Sequence, residues 1–297
     1  MVLRIGYVRE HFCSPLLQFE AEDKARHLLS SSAPQTSNTG GTGQLISRLT
    51  RDEIDIAIAL TDPLIAGIAK GSEAYKLVGS YVTSPLRWAV ITGHKPSAYN
   101  QISDLQGSTI GISRNGSGSQ TMAYVMALQK RWPTSELKFQ VNNDIRGLIN
   151  SVNDGTTSAF MWEWFTTKPF ADAGECRFIG QVPTPWPSWL IAAHPTRGEP
   201  AAVRTFLNNL SRHVRAFASA EARAGPSVKF VMDTFGYPET DVKEWLDAVE
   251  YPEDCSTIPW NVITDTLGVL QQAGVVAPSE GAVKRDQFVN LDVVTLV

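Results

Sequence analysis

The stretch Ile54-Asp-Ile-Ala-Ile-Ala-Leu60 gives the strongest signal of a buried strand in this sequence. Its apolar and β-branched residues are typical of a strand that is covered on both faces of a sheet. Thr61-Asp-Pro63 follows, and Leu64, Ile65 and Ile68 then mark a short helix. This order of strand, turn and helix predicts one unit of an α/β fold.

The same order recurs on both sides of that stretch. Toward the N-terminus, residues 3–8 form a short apolar strand, and residues 15–29 are a helix candidate that Ser14 could cap. Toward the C-terminus, Thr109-Ile-Gly-Ile-Ser113 is a strand that leads through a Gly/Ser loop into a helix. Beyond His194 the pattern changes to amphipathic helices. Repeated alternation of strands and helices predicts mainly parallel sheets with crossover helices.

Proline-broken extended segments divide this α/β chain into two lobes. We expect crossovers near residues 81–90 and 183–191, where the prolines disfavour helix. Lobe I then comprises residues 1–86 and 187–297, and lobe II comprises residues 87–186. Ligands of open α/β sheets bind at the carboxyl ends of the strands, so two such lobes would share one cleft.

Composition excludes several classes of function. The 297 residues carry a net charge of -4 without a run of Lys or Arg, which argues against a nucleic-acid partner. No window approaches the roughly 18 apolar residues of a membrane span. Cys13, Cys176 and Cys255 are too few and too scattered for a disulfide framework, and the N-terminus lacks a secretory pattern. We therefore expect a cytoplasmic protein, a monomer or weak dimer, with a small-molecule ligand.

The loop Arg114-Asn-Gly-Ser-Gly-Ser119 is the most informative candidate site. It follows a strand and opens a helix, so the amide of Gly118 could approach an anion closely, and Ser117 and Ser119 add hydroxyl groups. It lacks the lysine of a P-loop and matches no dinucleotide motif. The alternative interpretation is a helix cap that binds no ligand.

Two further segments could contact a ligand. In Gly40-Gly-Thr-Gly43, Thr42 and Gly43 could contact an anion or amide, or the segment could be a flexible surface loop. Thr61 could cap the next helix, face the cleft, or both. In Trp162-Glu-Trp164, two aromatic faces beside Glu163 would suit a flat ring that bears an amine, although two core tryptophans around a solvated carboxylate are the alternative.

Residues 10–14 raise the possibility of an enzyme. Cys13 beside His11, with Glu10 before them and a helix start at Ser14, could be an activated thiolate nucleophile. Adjacent residues in a loop rarely point at one another, so a lining or packing role is the alternative. The five histidines show no metal-ligand spacing, and no pattern calls for a cofactor or a metal.

Taken in order, these motifs resemble those of the type II periplasmic-binding-protein superfamily. The resemblance rests on Gly40–Gly43, on Asp55–Thr61, on Ser84-Pro-Leu-Arg-Trp88, on Ile110–Ser119 and on Ala159–Glu163. It is strongest to the branch that binds sulfonates, taurine and thiamine-pyrimidine precursors, and within it to cytosolic fungal members of unassigned function. The resemblance implies a Venus-flytrap fold that closes about two crossover hinge segments.

The resemblance also implies which residues line the cleft. These are Ser14, Thr42, Thr61, Ser84, Ser117, Ser119 and Glu163, with Arg114 as a possible addition. One departure from the family is the polar segment Ser30–Asn38, which stands where a second strand is usual. Enzymes of the same fold include desulfinases with a cysteine after the first strand and cysteine-rich pyrimidine-precursor synthases. This chain lacks the histidine partner of the first and the cysteine motif of the second.

We therefore expect a protein that binds a small polar ligand, anionic or heteroaromatic, in the cleft, rather than an enzyme. Ser117 and Ser119 would hold an anion, and Glu163 would pair with a basic ring or amine. The alternatives are a cysteine-dependent enzyme that uses Cys13 with His11, and a scaffold whose cleft has lost its ligand.

Overall fold

The computed structural model describes residues 3–26, 41–95, 98–278 and 281–297. This part of the chain forms two compact units, each with its own sheet. Unit 1 consists of Met1–Ser84, Trp186–Leu267 and Ser279–Val297, and unit 2 consists of Pro85–Pro185 and Gly268–Pro278. The segment Gly268–Pro278, which the sequence placed in the first lobe, thus has its contacts in unit 2. It continues a helix, so no turn or proline marks that boundary in the sequence.

Unit 1 contains a four-stranded mixed sheet with the order β1-β2-β9-β3, where strands are numbered along the chain. These strands are β1 (Ile5–Tyr7), β2 (Ile56–Leu60), β3 (Lys76–Val82) and β9 (Trp189–Ala193). β1 and β2 are parallel, but β9 runs antiparallel to β2 and β3. The expectation of mainly parallel sheets was wrong at β9, because the chain enters this strand from an extended segment instead of a crossover helix.

Helices cover the sheet of unit 1, so that residues 56–59 of β2 have no exposed surface. The helices with residues in unit 1 are α1 (Ser14–Arg26), α2 (Gly41–Thr50), α3 (Thr61–Ala69), α7 (Pro200–Ala218), α8 (Ala220–Arg223), α9 (Pro226–Phe235), α10 (Glu239–Ala248), α11 (Trp260–Gln272) and α12 (Arg285–Phe288). A small parallel pair, β10 (Thr257–Ile258) and β11 (Thr295–Leu296), completes it. Because α2 begins at Gly41, the predicted loop over residues 40–43 is mostly its first turn. The polar segment 30–38 lies outside the described residues.

Unit 2 contains a five-stranded sheet with the order β6-β5-β7-β4-β8. Its strands are β4 (Arg87–Gly93), β5 (Thr109–Ile112), β6 (Lys138–Val141), β7 (Ala159–Glu163) and β8 (Cys176–Pro183), and its helices are α4 (Gly118–Lys130), α5 (Ile145–Asp154) and α6 (Trp164–Asp172). β5 is parallel to β6 and to β7, whereas β4 is antiparallel to β7 and to β8. The three parallel strands therefore end at one edge of the sheet, where α4, α5 and α6 begin.

The two faces of the unit 2 sheet carry different helices. Ala89, Ile91 and Phe160 form a hydrophobic cluster with residues of α5, and residues of α6 pack against it. No residue of α4 belongs to that cluster, although α4 contacts β5 and β7. The helix α4 therefore covers the opposite face, onto which Val90 and Met161 project because side chains alternate along a strand.

A buried carboxylate joins β1 to β2 at the start of both strands. Asp55, which is 3% exposed, accepts hydrogen bonds from the backbone N of Arg4 at 2.8 Å and from its Nε at 3.0 Å. The Nε of Arg197 donates to the other carboxylate oxygen at 2.9 Å. Burial by itself would raise the pKa of Asp55, but the hydrogen bonds from both arginines outweigh it and lower the pKa to about 2.

In the part of the chain that the structure describes, no helix is long and apolar enough to span a bilayer. Over the same residues, no group of three or more His, Cys, Asp and Glu side chains is placed to hold a metal ion.

Candidate functional site

The turn between β5 and α4 is built as the sequence predicts. Ser117 is the N-cap of α4, and its Oγ accepts a hydrogen bond from the backbone N of Gln120 at 3.4 Å. Gly116 has a φ of +72°, which a residue without a side chain adopts at little cost. Its amide donates to the Oε1 of Gln120 at 2.7 Å, which closes the turn. The first turn of the helix is buried, since Ser117 is 1% and Ser119 2% exposed.

The two serine hydroxyl groups retain an unused hydrogen. Their Oγ atoms are 2.9 Å apart, and the Oγ of Ser119 also accepts from the backbone N of Ser113 at 3.3 Å. Each hydroxyl has one hydrogen, and a single hydrogen bond between the pair uses one of the two. The other has no acceptor among the described residues.

Backbone amides and one guanidinium group add further donors. Within the described residues the amides of Gly118 and Ser119 donate no hydrogen bond, as expected for the first turn of a helix. Arg114 is half-buried, and burial lowers the pKa of its guanidinium, although the group remains protonated. No carboxylate of the described chain is paired with it. The turn therefore presents hydrogen-bond donors and a positive charge that the described residues leave available to an anion.

Glu163 lies at the end of β7, where the sequence placed it, and is 3% exposed. It is the N-cap of α6: its Oε2 accepts hydrogen bonds from the backbone N and the Oγ1 of Thr166 at 2.6 and 2.8 Å. Burial raises the pKa of Glu163 to about 7, against the opposing effect of these hydrogen bonds. A carboxyl group with this pKa changes charge near neutral pH.

The two tryptophans that flank Glu163 do not share its surroundings. Trp162 packs against the hydrophobic cluster on the α5 side of the sheet, because alternate residues of a strand face opposite sides. Trp164 packs there as well, and the guanidinium of Arg87 lies 3.6 Å from the centre of its ring. The expected aromatic pair around a carboxylate is therefore not formed, and Trp162 has a packing role.

The unit 1 hydroxyl groups that were predicted to line the site form hydrogen bonds with backbone atoms instead. The Oγ1 of Thr61 donates to the carbonyl O of Pro187 at 2.6 Å, and the Oγ of Ser14 donates to that of His11 at 2.8 Å. Thr42 Oγ1 accepts from the backbone N of Leu60 at 3.1 Å. These contacts fix the loops that follow β1 and β2, so their first role is structural.

Three other predicted residues also lie in unit 1. Ser84 is 5% exposed, and its Oγ accepts from the backbone N of Glu250 at 3.1 Å. Gly43 is half-buried in the first turn of α2, where its carbonyl O accepts from the Oγ of Ser47 at 3.0 Å. Glu10 is half-buried and precedes a 3₁₀ turn over His11–Cys13, where its carbonyl O accepts from the backbone N of Cys13 at 2.9 Å.

Cys13 and His11 are enclosed in the core of unit 1. Both have no exposed surface, and the Sγ of Cys13 donates to the carbonyl O of Val8 at 3.1 Å. Burial raises the pKa of the Cys13 thiol and lowers that of His11 to about 3. The ring of His11 packs against Trp245 and Tyr237, with centroids 4.7 and 5.3 Å away. A protonated thiol beside a neutral histidine does not form a thiolate–imidazolium pair, so the geometry opposes the nucleophile interpretation.

Sequence reasoning missed one residue of the unit 2 site. Trp88 in β4 lies directly across from Glu163 in β7, is 6% exposed, and is the last residue of the resemblance motif that begins at Ser84. Its position beside Glu163 depends on strand pairing, which the sequence does not show. Two open cavities, of about 280 and 470 Å³, lie elsewhere. None of the predicted site residues lines the first, and Trp164 lines the second without Trp162 or Glu163.

Comparisons with known proteins place this architecture in a family. A profile of the family described as Ca3427-like PBP matches residues 88–182. The structure of the Candida albicans CA3427 gene product has a TM-score of 0.83 and 33% sequence identity, over 94% of this chain and 92% of that chain. The chain belongs to the CA3427 family. This family is described as exhibiting the generic periplasmic-binding-protein fold, so the resemblance predicted from the sequence is confirmed.

More distant structures share the fold of this CA3427-family protein. The alkanesulfonate-binding protein SsuA from Xanthomonas axonopodis pv. citri, bound to MOPS, has a TM-score of 0.74 at 16% identity, over 99% of this chain and 98% of that chain. SsuA from Escherichia coli has a TM-score of 0.70 at 15% identity, over 100% and 93%. At such identities the likeness shows the fold alone. No curated protein matches the sequence.

Proposed function

We propose that this CA3427-family protein binds a small anionic metabolite, which can carry a heteroaromatic ring, and acts as a solute-binding or sensing protein. The observation that carries the proposal is the donor set at the start of α4. Two amides, one serine hydrogen and the guanidinium of Arg114 lack an acceptor within the described residues. A set made only of donors fits an oxyanion, because each of its oxygens accepts several hydrogen bonds.

Glu163 gives this site a second property. It lies at the same edge of the sheet as the start of α4, since β5 and β7 are parallel neighbours. Its carboxylate form would attract a protonated amine or a basic ring. The metabolite would then carry a negative group for the α4 turn and a positive group for Glu163. The complex of a sulfonate-binding protein of the same fold with MOPS supports a search among such compounds.

Thermal-shift screening would test the proposal with sulfate, phosphate, taurine, MOPS, pyrimidines and amino acids. We expect at least one of them to raise the unfolding temperature, because a ligand at about 100 times its Kd adds roughly 2.7 kcal/mol to the free energy of unfolding. The double variant Ser117→Ala/Ser119→Ala should lose that ligand-induced shift. Arg114→Gln should weaken it, whereas Lys130→Gln, an exposed residue at the other end of α4, should not.

Ser219→Ala is the matched control for loss of a helix cap, because Ser219 caps α8 in unit 1 and is exposed. It should keep the full ligand-induced shift. If the double serine variant also keeps it, the anion site is not at α4, and the proposal fails.

Two finer parts of the proposal have their own tests. We propose that the two units close on the ligand by a hinge at the crossovers, as the fold family implies; small-angle scattering should then show a smaller radius of gyration with a binding probe than without it.

We also propose a cytoplasmic location, which the three free cysteines support. Cell fractionation that recovers the protein outside the cytoplasm would contradict it.

A further inference from the structure

Trp88 buries a hydrogen-bond donor that the protein does not use. The side chain is 6% exposed, and within the described residues its Nε1–H has no acceptor. An unpaired buried donor destabilises the fold, so folded proteins seldom bury one without a partner from solvent or ligand.

The position of Trp88 points to a ligand as that partner. Trp88 is directly opposite Glu163 in the antiparallel pair of β4 and β7, and directly opposite residues project to the same face of a sheet. The neighbouring pair, Ala89 and Trp162, belongs to the α5 side. Trp88 and Glu163 therefore share the other face, which α4 covers, and both lie at the edge where α4 begins.

Other tryptophans of the described chain also bury an Nε1–H without an acceptor, and they lie elsewhere in the fold. Trp164 packs on the α5 side of the unit 2 sheet, and Trp189 and Trp245 lie in unit 1. Among them, Trp88 alone combines an unused donor with a place on the α4 side of the unit 2 sheet.

We infer that the indole N–H of Trp88 donates a hydrogen bond to the bound metabolite and selects ligands that carry an acceptor atom beside the group held at the start of α4. The inference rests on the proposed function. A site that offers a buried donor discriminates against a ligand without the matching acceptor, because the donor then stays unpaired in the complex. Trp88 would thus set specificity, and the α4 turn would supply most of the attraction for the anion.

The test compares Trp88→Phe with Trp164→Phe, using whichever of sulfate, phosphate, taurine and MOPS binds the wild-type protein most tightly. Both variants remove a buried indole N–H that lacks an acceptor and keep an aromatic ring. We expect Trp88→Phe to weaken binding by about tenfold in titration calorimetry, which corresponds to one hydrogen bond of roughly 1.4 kcal/mol. Trp164→Phe should bind within about twofold of wild type.

A second readout follows binding in the wild-type protein and needs the variants only to assign its indole resonances. With ¹⁵N-labelled tryptophan, the indole resonance that is missing from Trp88→Phe should shift when the probe saturates the protein, and that of Trp164 should stay in place. Equal affinities of the two variants, or an unmoved Trp88 resonance, would overturn the inference. If the serine double variant loses binding while Trp88→Phe does not, the proposed function stands and the inference falls. If none of the four probes binds the wild-type protein, the inference falls, and the proposed function falls with it when the pyrimidines and amino acids of the thermal-shift screen fail as well.

Discussion

At the scale of single residues, burial decides the protonation state of the candidate reactive groups Cys13, His11 and Glu163. Cys13 and His11 are adjacent in sequence to Phe12, whose carbonyl O accepts hydrogen bonds from the hydroxyl groups of Tyr81 and Tyr251 at 2.9 and 2.8 Å. These contacts hold the turn inside unit 1, where neither a thiolate nor an imidazolium is solvated. Glu163 is buried as well, but its hydrogen bonds with Thr166 keep its pKa near neutrality.

The first prediction at this scale concerns Cys13. Because burial raises the pKa of its thiol and no surface is exposed, iodoacetamide at neutral pH should alkylate Cys13 roughly a hundredfold more slowly than a small free thiol. Peptide mass spectrometry would separate its labelling from that of Cys176 and Cys255. The same protein in denaturant, where all three thiols should react alike, is the control. Rapid labelling of native Cys13 would revive the enzyme alternative.

The second prediction concerns Glu163. A folded-state pKa of about 7, above the ordinary 4.5, means that the fold favours the protonated form. The corresponding stability is fully present below about pH 4.5 and is lost as the pH rises through 7. Glu163→Gln keeps the acceptor for Thr166 and cannot ionise. Between pH 5 and pH 8 the free energy of unfolding of the wild type should therefore fall relative to that of Glu163→Gln, by up to about 3 kcal/mol.

Denaturant unfolding at several pH values would measure this gain. Glu136→Gln, which changes an exposed carboxylate of the same unit, should follow the wild-type profile. Parallel profiles for Glu163→Gln and wild type would show that the carboxyl group titrates at an ordinary pKa.

At the scale of elements, some structures at the strand ends are defined by adjacent residues and others by contacts between distant segments. The β5–α4 turn needs only Gly116 for its positive φ and Ser117 for its cap, so a few adjacent residues define it. The start of β2 is different: Asp55 is held by Arg4, 51 residues away in sequence, and by Arg197, 142 residues away. A buried carboxylate held by two partly exposed arginines therefore joins three segments of the chain at the start of β1 and β2.

Asp55→Asn tests that dependence. The substitution removes the charge that two guanidinium groups face, and we expect it to lower the free energy of unfolding by roughly 3 kcal/mol near neutral pH. Since the pKa of Asp55 is lowered to about 2 in the fold, its contribution is present above about pH 3.8 and is lost as the pH falls through 2. The two proteins should thus become more alike in strong acid.

Asp233→Asn is the control for this variant, because Asp233 forms an exposed i,i+4 pair with Lys229 in α9. Such pairs contribute little, so denaturant unfolding should detect a change below about 0.5 kcal/mol. An equal loss of unfolding free energy in both variants would mean that the contacts of Asp55 with Arg4 and Arg197 stabilise the fold no more than an exposed ion pair does.

At the scale of the whole molecule, the described chain forms two compact units. Of the described residues, only Val141, Leu291 and Val297 are large exposed hydrophobic side chains, and they are scattered along the sequence. No contiguous apolar patch of the kind that marks a permanent interface follows from three such residues. We therefore expect sedimentation velocity to give a mass near 32.5 kDa at micromolar concentration. A stable dimer at that concentration would contradict the prediction of a monomer or weak dimer.

The sequence by itself determined the α/β class, the family, and the donor-rich turn over residues 114–119, because strand patterning, glycine turns and helix caps are encoded by neighbouring residues. It also placed Glu163 at the end of a strand. Strand alternation puts Trp162 and Glu163 on opposite faces of the sheet, so the aromatic site predicted around Glu163 does not form.

Only the tertiary structure decided how the remaining polar groups are used. The hydroxyl group of Thr61 is hydrogen-bonded to Pro187, 126 residues away, and that of Ser84 to Glu250, 166 residues away. Neither hydrogen-bond partner could therefore be predicted from adjacent residues. The pairing of β4 with β7 brings Trp88 opposite Glu163, and the packing of unit 1 encloses Cys13. Burial and long-range pairing arise from segments far apart in the chain, and they determine which of the candidate groups are free to meet a ligand.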